Sequence, residues 1–181
     1  MKQSYFSTFQ LILLGLFAAL IVVAKIALRL PLRIPGHSGL FWMAIMLVAV
    51  QVVPRRGAAS LVGLTSGLMA GFLGLGDFGV LNTFLSYTAV GVFTDLALFV
   101  VPYPDNPVGA MLIGAIGHSG KFLVKWLLGI ITGAPLGFIA LGLVYASISY
   151  IVFGALGGLL GMLTVRALRR AGFFSYLAEK R

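Results

Sequence analysis

The chain has no cysteine and very little charge. Only 9% of its 181 residues are charged, and aspartate and glutamate together number 4. The absence of cysteine excludes disulfides, thiolate metal sites and cysteine nucleophiles. A soluble domain carries charge on roughly a quarter of its residues, so this composition argues against a soluble protein.

Apolar residues take the place of the missing charge. They make up 60% of the chain, in stretches long enough to cross a bilayer, which takes about 20 residues of helix. No stretch has the sustained two-residue alternation of a membrane β-strand. We therefore predict an all-α integral membrane protein, one domain over 1–181 with six transmembrane helices. The predicted helices cover 9–30, 39–53, 58–75, 80–101, 108–132 and 136–165, followed by a basic amphipathic tail at 166–181.

The basic residues predict the orientation of this bundle. Lys2, the Arg55–Arg56 pair and the arginines of the tail fall on one side, whereas the other side has Arg29 and Arg33 near its loops. The positive-inside rule places the richer side, with both termini, in the cytoplasm. The net charge of +9 is then explained by topology and anionic lipid, so we predict no nucleic-acid binding.

Ionisable residues inside a bilayer are costly, and each is therefore a candidate for function. His118, Lys121 and Lys125 lie at i, i+3 and i+7 and so share one helix face. Asp95 is the candidate internal counter-charge within a helix, and Asp77 lies at an outer loop; these two acids are too few to balance the basic groups of the outer half. A carboxylate or phosphate ligand at an outward-facing site would supply the missing charge.

A second basic group follows the first helix. Lys25, Arg29, Arg33 and His37 are spaced by four, although prolines interrupt the spacing after Arg29. These long basic side chains either contact a ligand or extend to lipid headgroups, and the sequence leaves both readings open.

The tetrapeptide Gly-His-Ser-Gly occurs at 36–39 and at 117–120 and holds both of the 2 histidines. The repetition is suggestive of an internal duplication, and many transporters bind their substrate where two such halves meet. The aromatic residues Trp42, Phe78 and Tyr87 either pack the core and interface or form walls for a flat, partly apolar ligand. Asn82 would add hydrogen bonds.

Glycines mark the helix contacts. Gly63, Gly67 and Gly71 repeat every four residues on one face and are expected to pack helices within the chain. The Gly15–Ala19 pair on the first helix is a candidate docking face for a second membrane protein.

Enzyme and metal functions are disfavoured. No serine, histidine and acid are spaced as in a hydrolase. The segment 115–122 ends in Gly-Lys-Phe and lacks both the first glycine and the Ser/Thr of a phosphate-binding loop. Neighbouring lysines would repel a transition metal from the histidines. We predict no catalytic residue, metal or cofactor.

The chain resembles the substrate-binding S component of energy-coupling factor (ECF) vitamin transporters, through its size, six helices, cytoplasmic N-terminus and basic tail. The opening segment 14–20, Leu-Gly-Leu-Phe-Ala-Ala-Leu, is similar to the small-residue face with which those proteins dock their coupling subunit. The resemblance implies uptake of a micronutrient across a prokaryotic plasma membrane, with a transmembrane coupling subunit and two ATPase subunits as partners. The resemblance further implies that substrate binds outside, that the S component then topples in the membrane, and that substrate is released inside.

The resemblance also places the first, third and fifth loops over the ligand, with Pro35 and the loop around Pro135 nearby and His118 and Lys121 below. The full set of predicted substrate-binding residues is Arg33, His37, Trp42, Asp77, Phe78, Asn82, Tyr87, His118, Lys121 and Lys125. The alternative function is a membrane scaffold or assembly protein with an S-component-like fold, which would not need His118 and Lys121 to face a cavity.

Overall fold

A computed structural model of the protein describes residues 5–27, 34–76, 79–133 and 136–174. Within these ranges the chain is all-α: it forms six helices and no strand. The all-α fold class predicted from the sequence is confirmed. The helices are α1 (Thr8–Ala27), α2 (Gly39–Val52), α3 (Ala58–Phe72), α4 (Gly79–Val100), α5 (Pro107–Ile131) and α6 (Leu136–Arg170).

The helix ends follow local chemistry. Asn106 caps the start of α5, because its side-chain oxygen accepts a hydrogen bond from the Val108 amide at 3.0 Å. Pro107 occupies the first turn, where its missing N–H costs nothing. Gly57 precedes α3 with φ of +84°, a backbone conformation that a side chain would disfavour. Helix α6 continues to Arg170, five residues past the predicted end. Arg169 and Arg170 lie in its last turn, where their charge interacts favourably with the helix dipole.

Successive helices run antiparallel. Gly63 and Gly91 of α3 and α4 lie face to face, as do Gly114 and Gly154 of α5 and α6. The C-terminal ends of α1, α3 and α5 therefore share one end of the bundle, called here the lysine end after Lys25 and Lys125. The opposite end is called the arginine end after Arg55, Arg56, Arg166, Arg169 and Arg170.

Bare glycine faces allow the closest helix contacts. A Cβ at Gly63 would lie 2.6 Å from the Tyr87 carbonyl oxygen, and one at Gly154 would lie 2.7 Å from the Cβ of His118. These distances are too short for two unbonded carbon or oxygen atoms, so only glycine permits the observed packing. Gly63 and Gly67 have the packing role predicted for them.

Helix α2 is the centre of the bundle. Most of its residues are buried, including Met43, Met46 and Leu47 with no exposed surface, and it packs against α1, α3, α5 and α6. Helix α1 packs chiefly against α2 and α3. Because α1 has fewer neighbours, Leu16 and Val23 remain exposed on it.

In the described part of the chain, four helices are long and apolar enough to cross a membrane: α1, α4, α5 and the part of α6 from Tyr145 to Arg170. Large apolar side chains such as Leu16, Leu96 and Ile151 point outwards from them. Such a surface is stable next to lipid acyl chains rather than water. Helices α2 and α3 are apolar but shorter, with 14 and 15 residues.

Candidate functional site

The lysine end contains a small cavity between α1, α4 and α5. Its volume of about 10 Å³ is room for roughly one water molecule. Three lysines line it together with four polar or aromatic residues of α4 and one glycine beyond α3. The lining residues are Lys25, Gly76, Asn82, Thr83, Ser86, Tyr87, Lys121 and Lys125.

Tyr87, which lines this cavity, belongs to an aromatic pair. The rings of Trp42 and Tyr87 stack with centroids 4.2 Å apart and a tilt of 32°. The Lys121 ammonium lies 5.3 Å from the centroid of Trp42 and 5.7 Å from that of Tyr87, and the Lys25 ammonium lies 5.3 Å from Tyr87. Each distance is within the range of a cation–π interaction. Two ammonium groups from different helices are thus held at one aromatic surface.

His118 is buried next to this aromatic pair. Its Nδ1 donates a hydrogen bond to the Tyr150 carbonyl oxygen at 2.9 Å, and its ring lies 4.8 Å from the Tyr150 ring and 6.2 Å from that of Trp42. Because a carbonyl oxygen can only accept, Nδ1 carries a proton. In the neutral ring, Nε2 then presents a lone pair.

Two buried polar atoms in this cluster have no hydrogen-bond partner within the described part of the chain: His118 Nε2 and Trp42 Nε1. Leaving such an atom unpaired costs about 1–3 kcal/mol, and buried polar atoms normally have a partner in the protein or in bound water. One atom is a donor and the other, in the neutral ring, is an acceptor. A molecule with both kinds of polar group could satisfy them.

The two Gly-His-Ser-Gly segments meet here. Gly39, at the start of α2, packs directly against the His118 ring, and Gly36 packs against Tyr150, where an added Cβ would lie 3.2 Å from the ring. The Ser149 hydroxyl donates to the Pro35 carbonyl oxygen. These contacts tie the residues before α2 to the middle of α6 and fix the position of His118 from two sides.

The structure brings together six of the residues predicted from the sequence: Trp42, Asn82, Tyr87, His118, Lys121 and Lys125. His37 does not line the cavity; its Nδ1 donates to the Ile34 carbonyl oxygen at 2.7 Å and closes the turn before α2. Arg33, Asp77 and Phe78 lie outside the described residues, as does Pro135.

Sequence reasoning missed some members of the cluster. Ser86 follows Asn82 by four residues, so helical spacing could have placed both on one face. Its hydroxyl lies 3.4 Å from the Asn82 side-chain oxygen. Lys25 was interpreted either as a ligand contact or as a lipid contact, and it lines the cavity. Tyr150 carried no signal in the sequence, because its contact with His118, through both its backbone carbonyl and its ring, depends on how α6 packs against α5.

The prediction that Asp95 is the internal counter-charge for these basic groups is wrong. Its carboxylate accepts hydrogen bonds from the Ala59 amide at 3.3 Å, the Ser60 amide at 2.8 Å and the Ser60 hydroxyl at 2.6 Å. It therefore caps the N-terminus of α3. Eight residues of helix, about 12 Å, separate it from Tyr87, and it belongs to the arginine end.

The described residues thus form an all-α bundle with four helices able to span a membrane and a cluster of lysines, aromatic rings and one buried histidine at one end. No three His, Asp or Glu side chains converge among these residues. The chain matches no family model, no curated protein and no solved structure in the comparisons made with it.

Proposed function

We propose that the protein is a membrane-embedded binding subunit for uptake of a small anionic molecule, of the ECF S-component type. The observation that carries the proposal is the convergence of Lys25, Lys121 and Lys125 on one cavity, whose lining residue Tyr87 stacks on Trp42. Ammonium groups bind carboxylate or phosphate through charge-assisted hydrogen bonds. The aromatic rings suit a flat organic portion of the same ligand.

The unpaired atoms of His118 and Trp42 support this proposal. Both are buried, with 0% and 5% of their surface exposed, so a ligand that reached them would be almost fully desolvated. In that setting each hydrogen bond and ion pair is stronger than in water. A ligand with a donor, an acceptor and an anionic group would be complementary to the whole cluster.

The proposal includes a topology. The arginine end lies in the cytoplasm with both termini, because Arg55, Arg56, Arg166, Arg169 and Arg170 gather there. The lysine end then faces outward, and α2 and α3 complete six membrane segments although they are short. A transmembrane coupling subunit with two ATPase subunits would supply the energy for release into a prokaryotic cytoplasm.

Binding requires the lysine end to open. The cavity of about 10 Å³ is far smaller than the roughly 300 Å³ at which small-molecule sites begin. The structure therefore corresponds to a closed state under this proposal. The same observation favours the second candidate, a membrane scaffold in which the cluster only packs the bundle.

Native mass spectrometry of the purified protein separates the two candidates. We expect a small anion to co-purify in a one-to-one complex with the wild-type protein and to be lost from Lys121→Met, which keeps the apolar stem and removes the charge. Arg170→Gln, at the far end of the bundle, is the control and should retain the anion. Absence of any bound anion, together with no thermal shift across carboxylate- and phosphate-bearing vitamins, would favour the scaffold.

A further inference from the structure

A second, larger cavity lies at the arginine end, away from the proposed ligand site. It is an open groove of about 880 Å³ bordered by α2, the segment between α2 and α3, and α4. This volume falls in the range of small-molecule sites, about 300–1000 Å³. One side of the groove is basic, and the other is formed by apolar side chains of α4.

The basic side is provided by Arg55 and Arg56, and Arg169 of α6 also lines the groove. Among the described residues, both acids that line the groove interact with partners other than Arg55 and Arg56. Asp95 caps α3 through three hydrogen bonds, and Asp105 forms a 2.9 Å salt bridge with Arg169. The Arg56 guanidinium lies over the Phe99 ring at 5.6 Å from the centroid. Two adjacent guanidinium groups are thus presented to the groove without an ion pair to either acid.

The apolar side continues out of the groove along α4. Val92, Leu96 and Phe99 line it at i, i+4 and i+7, so they form one stripe on the helix. They are exposed, Phe99 to 73%, on a helix able to cross a membrane. The stripe therefore leads from the arginines towards the hydrocarbon region of the bilayer.

A polar atom points to an occupant as well. The side-chain nitrogen Nε2 of Gln51, another groove residue, is buried without a partner in the described part of the chain. An amide N–H of this kind needs an acceptor oxygen. The groove thus combines the guanidinium groups of Arg55 and Arg56 with an apolar stripe, and the buried Gln51 amide becomes available to an occupant once its side chain turns outward.

We propose that this groove binds one anionic phospholipid. Its phosphate oxygens would accept hydrogen bonds from Arg55 and Arg56, for which the planar guanidinium is well suited. Its glycerol or headgroup oxygens would reach Gln51, and an acyl chain would lie on Val92, Leu96 and Phe99. Basic pockets between transmembrane helices bind anionic headgroups in this manner. The site is independent of the ligand cluster at the lysine end.

The test measures lipid binding to the full-length protein in a neutral detergent. Phosphatidylglycerol should raise the melting temperature and remain bound at one molecule per chain in native mass spectra, whereas phosphatidylcholine should do neither. In Arg55→Gln/Arg56→Gln the affinity for phosphatidylglycerol should fall roughly thirtyfold. Arg170→Gln, an exposed arginine at the same end but outside the groove, should bind as the wild type does.

Three outcomes would overturn the proposal. Equal stabilisation by phosphatidylcholine would indicate a general lipid annulus. Equal loss in Arg170→Gln would indicate diffuse surface charge, and an equal shift with inorganic phosphate would indicate a free-anion site. If the double arginine variant does not fold, Leu96→Gln tests the acyl contact alone and should weaken phosphatidylglycerol binding. None of these measurements depends on a ligand at the lysine end.

Discussion

The His118 imidazole lies directly on the bare backbone of Gly39. A Cβ at Gly39 would come within 2.6 Å of His118 Nε2 and closer still to two other ring atoms. The second Gly-His-Ser-Gly thus supplies the ring, and the last glycine of the first supplies the space for it. The contact holds α2 and α5 together at the depth of the ligand cluster.

This contact predicts the effect of Gly39→Ala. The added methyl must displace the His118 ring or separate α2 from α5. Displacing the ring would also disturb its hydrogen bond to the Tyr150 carbonyl oxygen. We expect a loss of about 1–3 kcal/mol of stability and loss of ligand binding. Thermal unfolding in detergent measures the first and the co-purified anion the second. Gly15→Ala is the control, since nothing lies within 4 Å of a Cβ there; an equal loss in that variant would contradict the prediction.

Two substitutions of His118 test the roles of its two ring nitrogens separately. Asparagine places an amide N–H near the position of Nδ1 and can keep the bond to the Tyr150 carbonyl, but it has no equivalent of Nε2. His118→Asn should therefore fold as the wild type does and bind ligand roughly tenfold more weakly, because the ligand donor that pairs with Nε2 is left buried without an acceptor, which costs about 1–3 kcal/mol. Titration against the co-purified anion measures this. Unchanged affinity would remove Nε2 from the site.

His118→Gln has the opposite design. Its amide reaches the position of Nε2 and leaves the Tyr150 carbonyl without its donor, so stability should fall while part of the affinity remains.

The lysines of α5 should contribute unequally. Lys121 is only 7% exposed and contacts both rings of the aromatic pair, whereas Lys125 is half-buried. Charge is stronger where water is excluded. Lys121→Met should lower ligand affinity roughly 10- to 100-fold, and Lys125→Met by a smaller factor. The fluorescence of Trp42 in a Trp126→Phe background reports binding in both variants. Equal effects would show that the ligand does not reach the aromatic pair.

Asp95 should matter for folding and not for binding. The Asp95 carboxylate accepts hydrogen bonds at both of its oxygens, one from Ala59 and the other from Ser60. In Asp95→Asn the amide can accept at one oxygen only. Loss of this cap should cost about 1–3 kcal/mol. Asp105→Asn is the matched control: its salt bridge is exposed, with 55% of the aspartate and 48% of the arginine side chain accessible, and such pairs contribute about 0–1 kcal/mol. Chemical denaturation compares the two. A larger loss at Asp105 would contradict this account.

The face of α1 that carries Gly15 and Ala19 is the proposed docking surface for a coupling subunit. Gly15 and Ala19 are half-buried, and Gly15 has open space where its Cβ would stand. Gly15→Leu should therefore leave stability and ligand binding unchanged and should prevent co-purification of a coupling subunit from the native host. Gly154→Leu, in the tight α5–α6 contact, should instead impair folding. Retention of the subunit by Gly15→Leu would place docking elsewhere.

The fold was largely predictable because apolar runs separated by Pro–Gly turns leave few alternatives in a membrane protein. The predicted ends of α2 and α5 lie within one residue of those observed. The length of α6 was not predictable in the same way, since basic residues signal a membrane boundary whether or not the helix continues into water. The sequence predicted that α2 is short, but it could not reveal that the neighbouring helices bury most of its residues.

The site was most directly predictable where a single helix carries it. His118, Lys121 and Lys125 follow from spacing alone, and all three join the cluster. The role of Asp95 was missed because it depends on α3 packing against α4, and no local pattern specifies which helix end a half-buried carboxylate will cap. Tyr150 contributes a backbone oxygen, which any residue possesses.

The shortness of α3 has a consequence for the membrane itself. Its 15 residues span about 22 Å, against about 30 Å for the hydrocarbon core. Helix α2 is shielded by its neighbours, but α3 exposes Leu64 and Leu68. In the proposed six-span arrangement, the lipid beside α3 must therefore thin, or the whole bundle must tilt. A substrate would then reach the lysine end through a depression in the bilayer surface, and thicker membranes would oppose that depression.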